Sequence, residues 1–201
     1  MNKKNVFVAM TGASGSMYGL RLLEQLCLNG FQVTFATSRS GSIVCCEETG
    51  LDLSGDPDKA LERLYAHLEV TSGIRMVHPD DLFCGSASGS SAPDAMVICP
   101  CSMGTLARIA AGISGNLIER SADVMLKERR PLLLIPRETP LSEIHLENML
   151  RLSRAGARII PAMPAFYSQP ESVLDLVDFV VGKVLDQLGV ANNLYKRWGT
   201  E

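Results

Sequence analysis

Aromatic residues make up only 5% of this 201-residue chain, and there is a single tryptophan. That is little ring surface for a protein that holds nucleic acid by stacking bases. An excess of positive charge is also missing: 19 Lys and Arg stand against 22 Asp and Glu, for a formal charge of -3. A generally basic surface for nucleic acid or membrane is thereby excluded, although local basic pockets are not. No run of about 18 apolar residues, the length of a membrane-spanning helix, occurs. The positive start at Lys3-Lys4 leads into a short apolar run broken by Thr11-Gly12, too short for the core of a secretion signal.

Cysteine pairs at metal-finger spacing are lacking too. Cys27, Cys45, Cys46, Cys84, Cys99 and Cys101 lie in apolar runs, some adjacent, with no CxxC motif and no disulfide framework. Cys99-Pro100-Cys101 reads as small residues at a buried strand end rather than as a redox pair. Reduced thiols lead to the expectation of a cytoplasmic protein. His67, His78 and His145 form no cluster with carboxylates, so no metal site is expected. What the chain does have is 46% hydrophobic and 20% charged residues, the balance of a globular protein. Its length suits one domain able to bury roughly 70% of its unfolded surface.

Short apolar runs alternate with helical periodicity. Strands are expected at 6–10, 32–37, 74–77, 95–99, 132–135 and 158–160. Helices are expected after Gly15 (Met17, Leu20, Leu23 and Cys27 facing in), then around 42–48, 60–69, 102–111, 117–128 and 142–154, with a loop at 50–60. The last helix carries the stripe Val173, Val177, Val180, Val181, Val184, Leu185 and Leu188, and Gly189 stops it. Ser168 and Glu171 read as its capping box, with Pro170 in the first turn. The pattern predicts an α/β fold: a single Rossmann-like domain over 1–189, an open parallel sheet with helices on both faces, then a tail at 190–201. Ligands of such sheets bind beyond the carboxyl ends of the strands.

Several loops there carry chemistry. Gly12-Ala13-Ser14-Gly15 joins a strand to a helix and offers a hydroxyl and free N–H groups, as an anion site or as a plain tight turn. It is not a GxGxxG fingerprint, and no acidic residue ends the second strand to clamp a ribose. Ser102-Met103-Gly104-Thr105 opens another helix, as a second anion site or a simple N-cap. Arg137 and Glu138 follow a buried strand; Arg pairs with phosphate in two contacts and Glu moves a proton, unless the two form a surface ion pair. Lys127-Glu128-Arg129-Arg130 is a charge run at a helix end, which more often complements the helix dipole. The small-residue tract 85–92 feeds a buried strand and reads as an active-site loop.

Longer runs carry a family resemblance. Gly-Ala-Ser-Gly at 12–15, Gly-Ser-Ser-Ala-Pro at 89–93, Cys-Pro-Cys-Ser at 99–102, Asn-Leu-Ile-Glu-Arg-Ser-Ala-Asp at 116–123 and Leu-Lys-Glu-Arg-Arg-Pro-Leu at 126–132 are among them. Pro-Arg-Glu-Thr-Pro-Leu at 136–141, Ile-His-Leu-Glu-Asn-Met-Leu at 144–150 and Pro-Ala-Met-Pro-Ala-Phe-Tyr at 161–167 continue the match. The chain resembles the UbiX flavin prenyltransferases over nearly its whole length. The resemblance implies a homododecamer that alkylates reduced FMN with dimethylallyl monophosphate, at N5 and then C6. It implies that the product serves a UbiD-type decarboxylase.

By position, Gly12, Ala13, Ser14, Ser38, Ser102, Met103, Gly104, Thr105 and Arg137 match the family's FMN-binding positions. Tyr167 and Lys183 match contacts to the prenyl phosphate, Lys183 standing where some relatives carry Arg. Glu48, Lys127, Arg129 and Glu138 match further positions of that pocket, some from neighbouring subunits. Asp80-Asp81 is followed by Leu-Phe-Cys, so the DDxxD pattern that holds magnesium for a diphosphate is missing. The leaving phosphate is then expected to meet Lys127, Arg129, Arg137, Lys183 and Tyr167. Glu138, Glu48 and Ser14 are the expected catalytic residues, the glutamates as proton carriers. Trp198 either shields a developing allylic cation with its π face or packs at a subunit contact. Two other readings share the fold: an FMN-dependent decarboxylase of the cysteine-peptide type, whose relatives carry a histidine near the first helix, and a non-catalytic flavin carrier.

Overall fold

Six strands lie parallel in one sheet: β1 (Asn5–Met10), β2 (Gln32–Thr37), β3 (Ile74–Met76), β4 (Ala95–Cys101), β5 (Leu132–Pro136) and β6 (Arg158–Ile159). The computed structural model describes residues 4–199. Spatial order is β3-β2-β1-β4-β5-β6, so the winding reverses between β1 and β4. That reversal opens a crevice at the carboxyl ends of the two strands. The helices are α1 (Ser16–Leu28), α2 (Arg39–Thr49), α3 (Pro57–Leu68), α4 (Met103–Ala110), α5 (Leu117–Lys127), α6 (Glu143–Arg154) and α7 (Val173–Leu188). Among the described residues, none is long and apolar enough to cross a membrane.

Strand alternation builds two cores. Val6, Val8 and Met10 point to one face and pack with Leu22, Leu23 and Leu26 of α1, Leu64 of α3 and Val180, Val181 and Val184 of α7. Phe7 and Ala9 point to the other and meet Met96, Ile98, Leu106 of α4, Ile118 and Val124 of α5 and Leu152 of α6. Both faces of the sheet are covered, which is why its strands read as unbroken apolar runs.

Four expectations are corrected. The helix expected at 60 starts at Pro57, because Asp56 caps it by accepting from Lys59 N–H (3.1 Å) and proline suits the first turn. The final helix is capped by Ser172 and Asp175, not by Ser168 and Glu171; Gln169, which would be the first helical residue after a Ser168 cap, has φ 54, outside the right-handed helical region. Val173 is 65% exposed and Met17 42%, so neither faces in. Gly19 does: a Cβ there would collide with the Cys99 carbonyl oxygen, and the bare backbone lets α1 settle onto β4.

Candidate active site at the strand ends

The carboxyl ends of β1, β2, β4 and β5 are tied together by their own loops. Ser102 N–H donates to Thr11 Oγ1 (2.8 Å) and Thr11 N–H to the Pro100 carbonyl (3.1 Å), joining β1 to β4 across the crevice. Ser38 N–H donates to the Met10 carbonyl (2.9 Å). Arg137 reaches from the end of β5 to donate through Nε to the Ser14 carbonyl (3.1 Å). Ala13, Ser14, Ser38, Ser102 and Arg137 therefore share one rim. Gly12 is there for packing: a Cβ would sit 2.5 Å from Cβ of Ser40.

The two helix N-termini on this rim differ. That of α1 is already filled: the Glu48 carboxylate accepts from Gly15 N–H (3.0 and 3.1 Å) and Ser16 N–H (2.8 Å). The anion expected at the Gly12–Gly15 turn is thus the chain's own. Partial burial works to raise the Glu48 pKa. The Ser14 hydroxyl and the two backbone donors outweigh it, and the pKa ends below the ordinary glutamate value. Ser14 and Glu48, two of the expected catalytic residues, are brought together, with Glu48 held as a carboxylate.

The N-terminus of α4 is open. Ser102 caps it by accepting from Thr105 N–H (3.2 Å), and its hydroxyl donates to Thr105 Oγ1 (3.1 Å). The N–H groups of Met103 and Gly104 have no carbonyl within the helix to claim them. The Met103 side chain is buried in the core, so only its backbone faces the rim. A Cβ on Gly104 would meet nothing within 4 Å. Open space, two N–H donors, two hydroxyls and the Arg137 cation are the donor set a flavin phosphate or the carbonyl edge of its ring needs. No carboxylate ends β2, where Thr37-Ser38 lead into α2, so the ribose clamp of a dinucleotide is missing. A cavity of about 840 Å³ continues the rim past Ser38, between Arg39, Ser42, Cys46, His78 and Asn116. Glu138 stands beside Arg137 and accepts from Thr139 N–H (3.1 Å).

The remaining expected residues are elsewhere on the chain. Lys127 ends α5 and Arg129 follows it, both ahead of β5, whereas Arg137 follows β5. The strand's 5 residues put roughly 16 Å between the two edges. The parallel direction of β5 keeps these cations off their own chain's rim. They line a basic cavity of about 660 Å³ with Arg130, Arg154 and Arg158. The tract 85–92 belongs to the same edge rather than to the rim. It forms two short turns along α5, held by Arg120 Nε to the Ala87 carbonyl (3.2 Å) and Arg130 Nη1 to the Ala92 carbonyl (2.7 Å). Gly89 leaves room there for Glu128 and Lys127.

Tyr167, Lys183 and Trp198 form a third group, against α7. The Tyr167 ring meets Phe179 edge-on (5.8 Å between centroids) and Trp198 likewise (5.1 Å). Lys183 Nζ lies 5.4 Å from the Phe179 ring centre and 4.6 Å from that of Tyr195. Polar contact with the Tyr195 hydroxyl, aided by Asp186, raises the Lys183 pKa, so it stays an ammonium. Among the described residues this group shares no hydrogen bond or ion pair with Ser14, Glu48, Arg137 or Glu138. Sequence reasoning missed Thr11, Gly19 and Gly41, whose roles are close packing around the crevice; a Cβ on Gly41 would lie 2.7 Å from the Met10 carbonyl oxygen. It also missed Tyr195 and Asp186, which carried no motif.

The family model described as Flavoprotein matches residues 1–185. The flavin prenyltransferase UbiX of Pseudomonas aeruginosa is 51% identical over 199 residues, covering 98% of this chain and 95% of that protein. The chain belongs to the UbiX flavin prenyltransferases. The UbiX protein of Methanocaldococcus jannaschii is 47% identical over 195 residues, covering 97% of this chain and 98% of that one. Among solved structures, AnUbiX (PadA1) in complex with FMN and dimethylallyl pyrophosphate superposes with a TM-score of 0.87 at 39% identity, over 100% of both chains. A dodecameric FMN-dependent UbiX-like decarboxylase from Escherichia coli O157:H7 gives 0.85 at 40% identity, over 98% of this chain and 100% of that one. The cypemycin decarboxylase CypD, at 16% identity and a TM-score of 0.59, shares the fold alone.

Proposed function

We propose that this protein transfers the dimethylallyl group of dimethylallyl monophosphate to reduced FMN, at N5 and then C6. The prenylated flavin then passes to a UbiD-type decarboxylase. The observation that carries this reading is the open α4 N-terminus, with clear space over Gly104 and Arg137 across the rim, next to a Glu48 carboxylate already ionised against Ser14. Bound there, reduced FMN supplies the nucleophilic ring atoms. Ser38, Ser102, Thr105, Arg137 and the N–H groups of Met103 and Gly104 hold and orient it, with Gly12, Ala13 and Ser14 as the floor.

Lys127, Arg129, Lys183 and the Tyr167 hydroxyl meet the donor phosphate and neutralise its charge as the C–O bond breaks. Glu138 exchanges a proton with that phosphate. Glu48 accepts the proton lost at the closing ring, and the Ser14 hydroxyl beside it lines the path. The Trp198 face lies over the allylic group as positive charge develops. Rim and opposite-edge groups lie apart on one chain, so each site is assembled from neighbouring copies in a cytoplasmic homo-oligomer, a dodecamer on the pattern of the Escherichia coli relative.

The test is to incubate the reduced, FMN-loaded protein with dimethylallyl monophosphate and weigh the extracted flavin. A gain of one five-carbon unit is expected; an unmodified flavin after many turnover times rejects the reading. The decarboxylase reading is less well served, because α1 holds no histidine.

A further inference from the structure

After α7 the chain folds back along that helix, and three of its side chains converge on one carboxylate. Tyr195 Oη donates to Asp186 Oδ2 at 2.6 Å, and Asn192 Nδ2 to Oδ1 at 3.0 Å. Arg197 donates to both oxygens, at 2.8 and 3.1 Å. Asp186 is three residues beyond Lys183 on α7, so the two side chains share a helix face. Between them stands the Tyr195 ring, edge-on to Phe179 with centroids 5.1 Å apart, and the Lys183 ammonium rests over it.

The helix is cut away to admit that ring. A Cβ on Gly182 would lie 2.5 Å from Tyr195 Cδ1 and 3.0 Å from Asn192 Oδ1. Glycine inside a helix costs about 1 kcal/mol relative to alanine, yet here it sits beside the one lysine of α7. A lysine ammonium on a four-carbon stem has many rotamers, and a phosphate that binds it must freeze them. A fixed aromatic floor removes most of those rotamers beforehand.

We propose that Asp186 and Tyr195 are positioning residues for the donor phosphate: Asp186 clamps the returning segment, Tyr195 holds Lys183 in its binding rotamer, and the same clamp sets Trp198 against Tyr167. The proposal rests on the reading of Lys183 as a phosphate-binding residue. It adds to that reading the reason why the segment after α7 is needed: the segment is part of the donor pocket's wall, acting through Lys183 rather than on the donor itself.

The experiment measures donor KM, kcat and FMN affinity for Tyr195→Phe, Asp186→Asn, Gly182→Ala, Lys183→Ala and the double variant Tyr195→Phe/Lys183→Ala. It also records fluorescence of the sole tryptophan, Trp198. Tyr195→Phe keeps the ring and loses its anchor; it is expected to raise donor KM by about 3- to 10-fold, the size of one hydrogen bond, with FMN affinity and kcat nearly unchanged. Asp186→Asn keeps an acceptor for Tyr195 and should fall between. Gly182→Ala should raise donor KM and change Trp198 emission together. In the Lys183→Ala background Tyr195→Phe should add nothing. An unchanged KM in Tyr195→Phe, or an equal rise with and without Lys183, overturns the proposal while leaving the role of Lys183 intact. An unchanged KM in Lys183→Ala alone removes that role and the proposal with it. Should Asp186→Asn fail to fold, Tyr195→Phe and Gly182→Ala decide the matter.

Discussion

The Glu48 carboxylate closes the N-terminus of the helix that Ser14 leads into, accepting the backbone N–H groups of Gly15 and Ser16 at 2.8 to 3.1 Å. An acid in that place is stabilised by the helix dipole as well as by the two bonds. The Glu48 side chain is otherwise exposed.

Glu48→Gln keeps the shape and removes the charge. Prenylation of FMN should fall by about 10²- to 10⁴-fold, the usual worth of a positioned proton acceptor, while FMN binding is retained. Because the Glu48 pKa is lowered, its base form persists below the ordinary glutamate value of 4.5. Its contribution to stability is present above that value and is lost as pH falls through the lower folded-state pKa. A pH–rate profile of the wild type should show no Glu48 limb above pH 4.5; a limb near neutrality that disappears in Glu48→Gln would contradict this.

Gly104→Ala separates folding from binding. Alanine favours a helix by about 1 kcal/mol over glycine, and nothing stands within 4 Å of the new methyl group, so thermal stability should hold or rise. The methyl group would occupy the space read as the flavin cradle, so FMN affinity should drop by about tenfold, or ~1.4 kcal/mol. Fluorescence titration of FMN beside a thermal melt checks both. Unchanged affinity rejects the cradle.

Arg137 and Lys183 should fail differently. Arg137 bridges β5 to the Ser14 carbonyl on the flavin rim, so Arg137→Ala should weaken FMN by about 1.5–3 kcal/mol, the range for a charge-assisted contact. Lys183→Ala should leave FMN nearly untouched and weaken use of the prenyl phosphate over the same range. Titration of FMN and donor dependence of prenylation, for both variants, distinguish the roles; the same defect in both would refute the division.

Complementation tests the shared site. Lys127→Ala and Glu48→Gln place their defects on opposite edges of the sheet. Each homo-oligomer should be nearly inactive, and co-expressed mixed oligomers should regain activity, since some sites then hold both intact residues. Native mass spectrometry confirms mixing; mixed particles no more active than the parents would show that each chain works alone.

Much of this molecule could be read before it was seen. Residues 32–37 form β2 with the expected ends, and β5 and β6 differ from expectation by one residue each. Unbroken apolar runs between turn residues leave little choice, because only a strand covered on both faces uses such a run. Caps were harder. Ser168 and Ser172 are each followed three residues on by an acid, and only the backbone, with φ 54 at Gln169, decides between them. Arg137 was legible because it follows a buried strand.

What the sequence determined by itself was the alternation of strands and helices, the rim loops around Ser14, Ser102 and Arg137, and the family. These are local patterns, each written in a few consecutive residues. What only the tertiary structure decided was who meets whom. Glu48 fills one helix N-terminus and leaves that of α4 open; Asp186 gathers the returning segment around Lys183. The place of Lys127 and Arg129, at the sheet end opposite the rim, was decided the same way. Parallel strands give a sheet two chemically distinct edges, and a residue before a strand and one after it cannot share an edge, however alike their charges.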